Sequence, residues 1–318
     1  MSSCISLDLL ESTAQDVAEV LAMAFYKPAP TTFSIVAADL TTGELGIAVQ
    51  SKFLAVGSLV PWVRAGVGAI ATQALPNASY GPAALEHIGR GMSAQEALQA
   101  ILSEDELREN RQYGIVDARG RSATFTGAQC IESASGIAGD SFAAQGNCLA
   151  SREVVDAIAS SFRSSRGHLA DRLIAALRGG QAAGGDKRGQ QSAALTIEKP
   201  KGGYMRTNDR FVDLRVDDHA EPIEELTRIL ELHKLYFFPP KSQDIIQIDT
   251  AIGAEIVQAL CTFGDLPPGT TTFDANARAA LHLYMGRENL ENRIREDATI
   301  DRQTLEYLRS AVRRSPLS

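Results

Sequence analysis

The sequence has little that would mark a nucleic-acid partner or an oxidising compartment. Its 31 Lys and Arg stand against 39 Asp and Glu, a formal charge of −8, and no stretch gathers the basic face that phosphate neutralisation needs. No nucleic-acid partner is expected. Cysteine is scarce: Cys4, Cys130, Cys148 and Cys261 are widely scattered and fit neither zinc nor redox spacings. Reduced thiols in a cytoplasmic protein are the expected reading, with the distance between Cys130 and Cys148 left open. Long apolar runs are missing too, the segment 59–64 ending at Arg64, so no membrane span is expected. Asp8, Glu11, Asp16 and Glu19 interrupt the first residues, unlike the compact apolar core of a secretory signal. His87, His168, His219, His233 and His282 form no i,i+4 ligand pair, and neither a phosphate loop nor a dinucleotide fingerprint occurs. No metal and no cofactor is expected, and no nucleophile-elbow motif supports a Ser-His-Asp triad.

What is present is an ordinary globular composition, 44% hydrophobic and 22% charged over 318 residues, enough for one large and one small domain. Residues 32–39, TFSIVAAD, alternate with strand spacing, Phe33, Ile35 and Ala37 pointing one way and Ser34, Val36 and Ala38 the other. Both faces are largely apolar, as in a strand covered on both sides. A second strand follows the polar turn Thr41, Thr42, Gly43, Glu44. Further strands are predicted at 67–73, across 113–125, at 191–198 and at 211–216. Helices are predicted from Pro82 through His87, from a capping box at Ser93 and Glu96 to Leu102, over 152–162, over 168–177 and over 221–235. The glycine-, serine- and alanine-rich stretch 126–146 reads as a long loop.

This order suggests an α+β body of two packed sheets flanked by helices. Phe237, Phe238, Pro239 and Pro240 mark a boundary. Helical stretches near 250–262, 274–284 and 301–312 follow, Asp274 and Asp301 placed as N-caps. Ahead of the body, 13–26 reads as a short helix and 27–30, KPAP, as a linker. The expected domains are therefore 1–31 as an extension or propeptide, 32–238 as the body and 239–318 as a small, mainly helical module.

The segments 32–74, RQYGIVDARGR, FTGAQC, AAQGN and GGDKRGQQSAAL resemble the family of domain of unknown function 1028, in order from Thr32 to about Leu235. That family is regarded as similar to the N-terminal nucleophile hydrolases. The resemblance implies a four-layer αββα sandwich and, for this fold type, a homo-oligomer. The tail, through GRENLENRIREDATIDRQTLEYLR, resembles the peptidoglycan-binding-like module of some family members, a resemblance that implies peptidoglycan as a partner.

The resemblance turns attention to Thr32. A threonine hydroxyl is a weak nucleophile that the chain's own α-amine can activate, but an amide nitrogen cannot. Thr32 as nucleophile therefore requires cleavage of the Thr31–Thr32 bond; its plainer role is β-branched packing. In family members the matching Thr sits close to the chain start. Here the nearest upstream Met is Met23, so removal of an initiator Met alone does not expose it. Three origins fit the preceding residues: a propeptide, an ordered extension, or a start codon assigned too far upstream.

Gln145 and Asn147, flanking Gly146, are uncharged donors suited to an oxyanion or to loop carbonyls. Asp186 is placed to hold a terminal ammonium or to orient Arg188, and Arg188 to clamp a substrate carboxylate, or the two simply brace a turn. Ser51, Lys52, Gln73 and Ser192 are further substrate contacts, Lys52 as a cation that lowers the amine's pKa or as an ordinary strand-end lysine. Hydrolysis of a small amide or peptide-like bond is the leading expectation. An inactive ligand-binding protein and a wall-associated protein acting through the tail are the alternatives.

Overall fold

The computed structural model describes residues 31–314. The extension 1–30, with its expected helix and Cys4, lies outside the described residues. The protein is a mixed α/β structure with antiparallel sheets and a helical C-terminal part. Twelve strands are described: β1 Thr32–Asp39, β2 Glu44–Ser51, β3 Pro61–Arg64, β4 Gly68–Ala74, β5 Arg111–Asp117, β6 Ser122–Thr126, β7 Ser135–Gly139, β8 Phe142–Gly146, β9 Ser192–Glu198, β10 Arg210–Val216, β11 Ile245–Gln247 and β12 Thr299–Asp301. The body's helices are α1 Tyr80–Gly89, α2 Ala94–Ser103, α3 Glu153–Ser164, α4 Leu169–Ala182 and α5 Pro222–Phe237. Those of the tail are α6 Thr250–Phe263, α7 Ala275–Arg287 and α8 Arg302–Arg314.

One sheet runs β10-β9-β2-β1-β8-β7 and another β3-β4-β5-β6. The alternation in β1 explains its central place. Phe33, Ile35 and Ala37 are buried in one apolar cluster with residues of α3 and α4, such as Ile158 and Leu173. Val36 and Ala38 enter a second cluster with Ala69 and Ala71 of β4 on the facing sheet. A third holds Ile70, Tyr113 and Ile115 against Leu85 of α1 and Leu98 of α2. Fully burying side chains such as Phe33 and Ile35 stabilises by about 1.5–3 kcal/mol each.

Local signals act as expected in several places. Ser93 Oγ accepts from the Glu96 amide at 3.2 Å while Glu96 Oε2 accepts from the Ser93 amide at 2.7 Å, closing the capping box of α2. Pro222 occupies the first turn of α5. Asp249 and Asp274 cap α6 and α7.

The stretch 126–146 departs from expectation, since it contains the hairpin β7–β8, with β8 beside β1 at the sheet's centre. Its small residues are a condition of packing. A Cβ on Gly136 would stand 2.4 Å from Thr124 Oγ1 of β6, so the sheets approach at a backbone too bare to show strand character. The tail also holds a short hairpin, β11 with β12, beside its helices.

Helix α5 belongs to two cores: Leu226 and Leu230 pack in the body, and Leu235 packs with Ile256, Leu281 and Leu305 of the tail. Arg293, wholly buried, fastens the junction. It donates to the carbonyls of Lys234 (2.8 Å), Leu235 (2.7 Å) and Phe238 (3.0 Å) and to Asp301 Oδ1 (2.7 Å). The last carbonyls of a helix lack intrahelical partners, and here a side chain of the tail supplies a donor to Leu235 and a second one to Lys234, which also accepts from the Phe238 N–H.

Candidate functional site

Thr32 opens β1 and pairs in register with Ser51, the last residue of β2. Both are wholly buried. Thr32 Oγ1 donates to Ser51 Oγ at 3.1 Å, and Ser51 Oγ donates onward to the Thr31 carbonyl at 2.7 Å. A second donor reaches that carbonyl oxygen, Arg188 Nη2 at 2.9 Å. The carbonyl preceding Thr32 is thus held by a hydroxyl and a guanidinium, the kind of donors that stabilise negative charge on oxygen.

The loop 184–189 brings Arg188 there. Gly184 and Gly185 take left-handed φ values of 112° and 58°, which glycine adopts without a Cβ clash. The loop is tied to the segment after β8 by Ala150 N–H to the Gly185 carbonyl (2.9 Å) and Lys187 N–H to the Cys148 carbonyl (3.0 Å). Asp186 then sets the guanidinium. Its Oδ1 accepts from Arg188 Nε at 3.0 Å and its Oδ2 from Arg188 Nη2 at 2.7 Å, a fork on a buried carboxylate.

Behind this pair lies a buried amide network between the sheets. Ser34 Oγ donates to Gln73 Oε1 (2.6 Å) and accepts from Gln145 Nε2 (2.6 Å). Gln73 Nε2 reaches the Thr32 carbonyl (3.3 Å) and Gln112 Oε1 (2.7 Å). Asn147 Nδ2 also donates to Gln112 Oε1 (3.0 Å), and its backbone N–H donates to the Thr32 carbonyl (3.0 Å). Gln145 Oε1 and Asn147 Oδ1 are buried with no hydrogen-bond partner among the described residues.

The site residues expected from sequence therefore divide. Thr32, Ser51, Asp186 and Arg188 converge on the Thr31–Thr32 link. Gln73, Gln145 and Asn147 surround it, but the amide N–H groups of Gln145 and Asn147 are engaged with Ser34 and Gln112. Lys52 turns outward, its Nζ donating to the Gln190 carbonyl at 3.2 Å; its backbone N–H reaches Asp186 Oδ2 at 3.2 Å. Ser192 serves a neighbouring loop, donating to the Phe53 carbonyl (2.5 Å) and accepting from Val56 N–H (3.0 Å).

Two participants escaped the sequence reading. Thr31 carried no signal of its own. Gln112, the hub of the amide network, did: it is a polar side chain in the strand Arg111–Asp117, two residues after which Gly114, Ile115 and Val116 continue the buried run, and buried polar groups are the informative exceptions. Among the described residues Cys130, Cys148 and Cys261 form no disulfide, and burial pushes the Cys130 thiol up to about 11. Among the described residues no helix is long and apolar enough to cross a membrane.

A family model described as a "family of unknown function (DUF1028)" matches residues 32–226, beginning at Thr32. A second, described as a "putative peptidoglycan binding domain", matches 236–308. The crystal structure of a DUF1028 protein from Silicibacter pomeroyi is similar at a TM-score of 0.60 and 30% identity, over 65% of this chain and 88% of that one. No curated protein matches. Over its body, this chain belongs to the family of unknown function DUF1028.

Proposed function

We propose that the protein is a latent amidohydrolase of the N-terminal nucleophile type, with Thr32 as the attacking group. The observation that carries this reading is the hydrogen-bonded run from Thr32 Oγ1 through Ser51 Oγ to the Thr31 carbonyl, with Arg188 on the same oxygen. Helices, a six-stranded sheet, a four-stranded sheet and helices, joined by three apolar clusters, support the four-layer αββα fold.

Release of the nucleophile is a self-cleavage. Thr32 Oγ1 adds to the Thr31 carbonyl carbon while, in one relay, its proton passes to Ser51 Oγ and the Ser51 proton passes to the Thr32 nitrogen. Negative charge collects on the Thr31 oxygen, facing Ser51 and Arg188. The C–N bond of the protonated nitrogen then breaks, and an ester joins Thr31 to Thr32. Water hydrolyses that ester, leaving a carboxylate on Thr31 and a free amine on Thr32. In the mature site this amine accepts the hydroxyl proton, hands it to the leaving amine of a small amide substrate, and water resolves the acyl-enzyme. The donors that held Thr31 serve the substrate carbonyl. This assigns the oxyanion role to Ser51 and Arg188 in place of Gln145 and Asn147.

Intact-mass measurement of the purified full chain tests the proposal. Loss of residues 1–31 in the wild type, absent in Thr32→Ala, is the expected result. A chain begun at Thr32 should also gain the mass of a β-lactone acylating probe on that residue. An uncut wild type, together with no adduct on the shortened chain, overturns the reading.

A non-catalytic binding protein is the second reading. It is favoured by the complete burial of Thr32 and by surface cavities lined by other parts of the chain. The cytoplasmic placement and homo-oligomeric state expected from the sequence remain part of either proposal.

A further inference from the structure

Three large apolar side chains stand together in water at the seam between body and tail: Tyr204 is 70%, Met205 77% and Phe237 51% exposed. Two adjoining cavities of about 540 and 640 Å³ open beside them and share Tyr204, Tyr236, Phe237 and Asn292. An apolar patch of this kind, rimmed by polar residues, is the usual mark of an interaction surface. We propose that this face joins two copies of the chain about a two-fold axis, independently of any chemistry at Thr32.

The face carries both halves of a self-complementary contact, a knob and a groove. The knob is Tyr204 and Met205. Around it Lys201, Met205 and Arg206 hold left-handed φ values of 56°, 49° and 61°, backbone that residues with side chains adopt at a cost and that collects at recognition sites. Hydrogen bonds pin the loop in this shape: Lys201 N–H donates to Asp209 Oδ1 (2.8 Å), Gly203 N–H to the Asn208 carbonyl (2.9 Å) and Thr207 Oγ1 to the Tyr204 carbonyl (2.8 Å). The knob is thus ordered before a partner arrives, which lowers the entropy cost of association. The groove beside it is lined by Tyr236, Phe237, Asn289, Glu291 and Asn292. Asn292 Nδ2 already donates to the Tyr236 carbonyl at 2.6 Å, and Tyr204 meets Phe237 edge to face at 6.3 Å. Ring surface is therefore much of what the groove offers, and a thioether such as that of Met205 packs well against rings. A two-fold axis sets the knob of each copy in the groove of the other.

Charge singles out a second copy as the occupant. On the body's side of the face Lys201 and Arg206 are exposed, and on the tail's side Glu291 is exposed; among the described residues none of the three side chains is in an ion pair. Arg210, by contrast, is matched within the chain by Asp213 at 3.1 Å. Unmatched charges of both signs on opposite walls are satisfied together by a rotated copy of the same face, because across a two-fold each residue meets the other's counterpart. Arg206, next to the knob, then stands at Glu291 of the second copy, and the pairing occurs twice. A partner of one sign throughout would leave one wall unmatched. The three exposed apolar side chains alone offer on the order of 400 Å², about half of one partner's share of a standard interface. The charged rim widens the contact on both sides.

Light scattering and sedimentation velocity of the full-length protein at micromolar concentration test this. A dimer is the expected result, its dissociation constant raised at least tenfold in Met205→Glu, in Arg206→Glu and in Glu291→Arg, and largely restored when the last two substitutions are combined. All three positions are exposed, so the circular dichroism spectrum should not change; a variant that loses the folded spectrum is replaced by Tyr204→Ala, judged by the same tenfold criterion. A monomer at every concentration overturns the proposal and leaves the face to a different protein. A dimer that every variant retains overturns it as well, as does a combined charge reversal that restores nothing. A dimer lost when the chain is begun at Thr32 also overturns it, since the contact would then belong to residues 1–31.

Discussion

The Thr32 hydroxyl donates to the Ser51 hydroxyl at 3.1 Å across the register pair that opens β1 and closes β2. Because side chains on paired strands face the same way at every second residue, the pairing sets these two hydroxyls side by side. Ser51 Oγ also donates to the Thr31 carbonyl, at 2.7 Å.

Ser51→Ala is therefore expected to slow the proposed self-cleavage by about 10²–10³-fold, the usual cost of removing one oxyanion donor. A small hydroxyl is lost, so stability should fall by only about 1 kcal/mol. A mass-spectrometric time course beside a thermal melt separates the two effects. An unchanged cleavage rate would remove Ser51 from the mechanism.

Arg293→Ala should be far more damaging to the fold. Arg293 and Asp301 are both essentially excluded from water, and deleting the cation strands a buried carboxylate together with the carbonyls at the end of α5. Loss of one member of a buried pair costs about 3–5 kcal/mol. Limited proteolysis should show the tail cut before the body.

Acid should weaken the protein through Glu44. Burial by itself raises this carboxyl, but His168 at 3.3 Å and Lys199 at 2.9 Å outweigh that effect and hold it below its ordinary value of 4.5. The folded state thus binds this proton less readily than the unfolded one. Its contribution is complete above pH 4.5 and is lost as pH falls from there through the lowered folded value. Urea unfolding of the wild type and Glu44→Gln from about pH 7 to about pH 3 should show their difference shrinking on the acid side. A constant gap contradicts this account.

Gly114→Ala tests how tightly the sheets meet. A Cβ there would lie 1.8 Å from Gln145 Oε1 of the facing sheet. Either the amide network or the sheet spacing must give way, at a cost of about 1–3 kcal/mol. Chemical denaturation reads the loss, and a neutral result would mean that Gln145 swings aside freely.

Much of this was legible in local pattern. Period-two alternation identified β1 and assigned its faces, because Phe33, Ile35 and Ala37 do pack under helices while Val36 and Ala38 meet the second sheet. The Ser93 and Glu96 box was readable because capping involves residues three apart. Strand β8 was not, since Ala143, Ala144 and Gly146 carry no strand preference of their own and its strand character comes from β1 and β7 on either side. Gln145 and Asn147 read as donors either to an oxyanion or to loop carbonyls, because a sequence shows an amide without showing that Ser34 and Gln112 already hold it.

Composition and periodicity alone settled that this is an acidic α/β chain with a helical tail, and the ordered motifs from Thr32 onward settled its family. Those properties arise from burial patterns that repeat within a few residues. Tertiary structure decided which groups face the Thr31 carbonyl, since Ser51 and Arg188 are brought there by sheet register and by a glycine-hinged loop, over separations no local rule spans. It also decided where the aromatic side chains collect. Contacts between distant segments depend on the closure of the whole chain, which fixes them together or not at all.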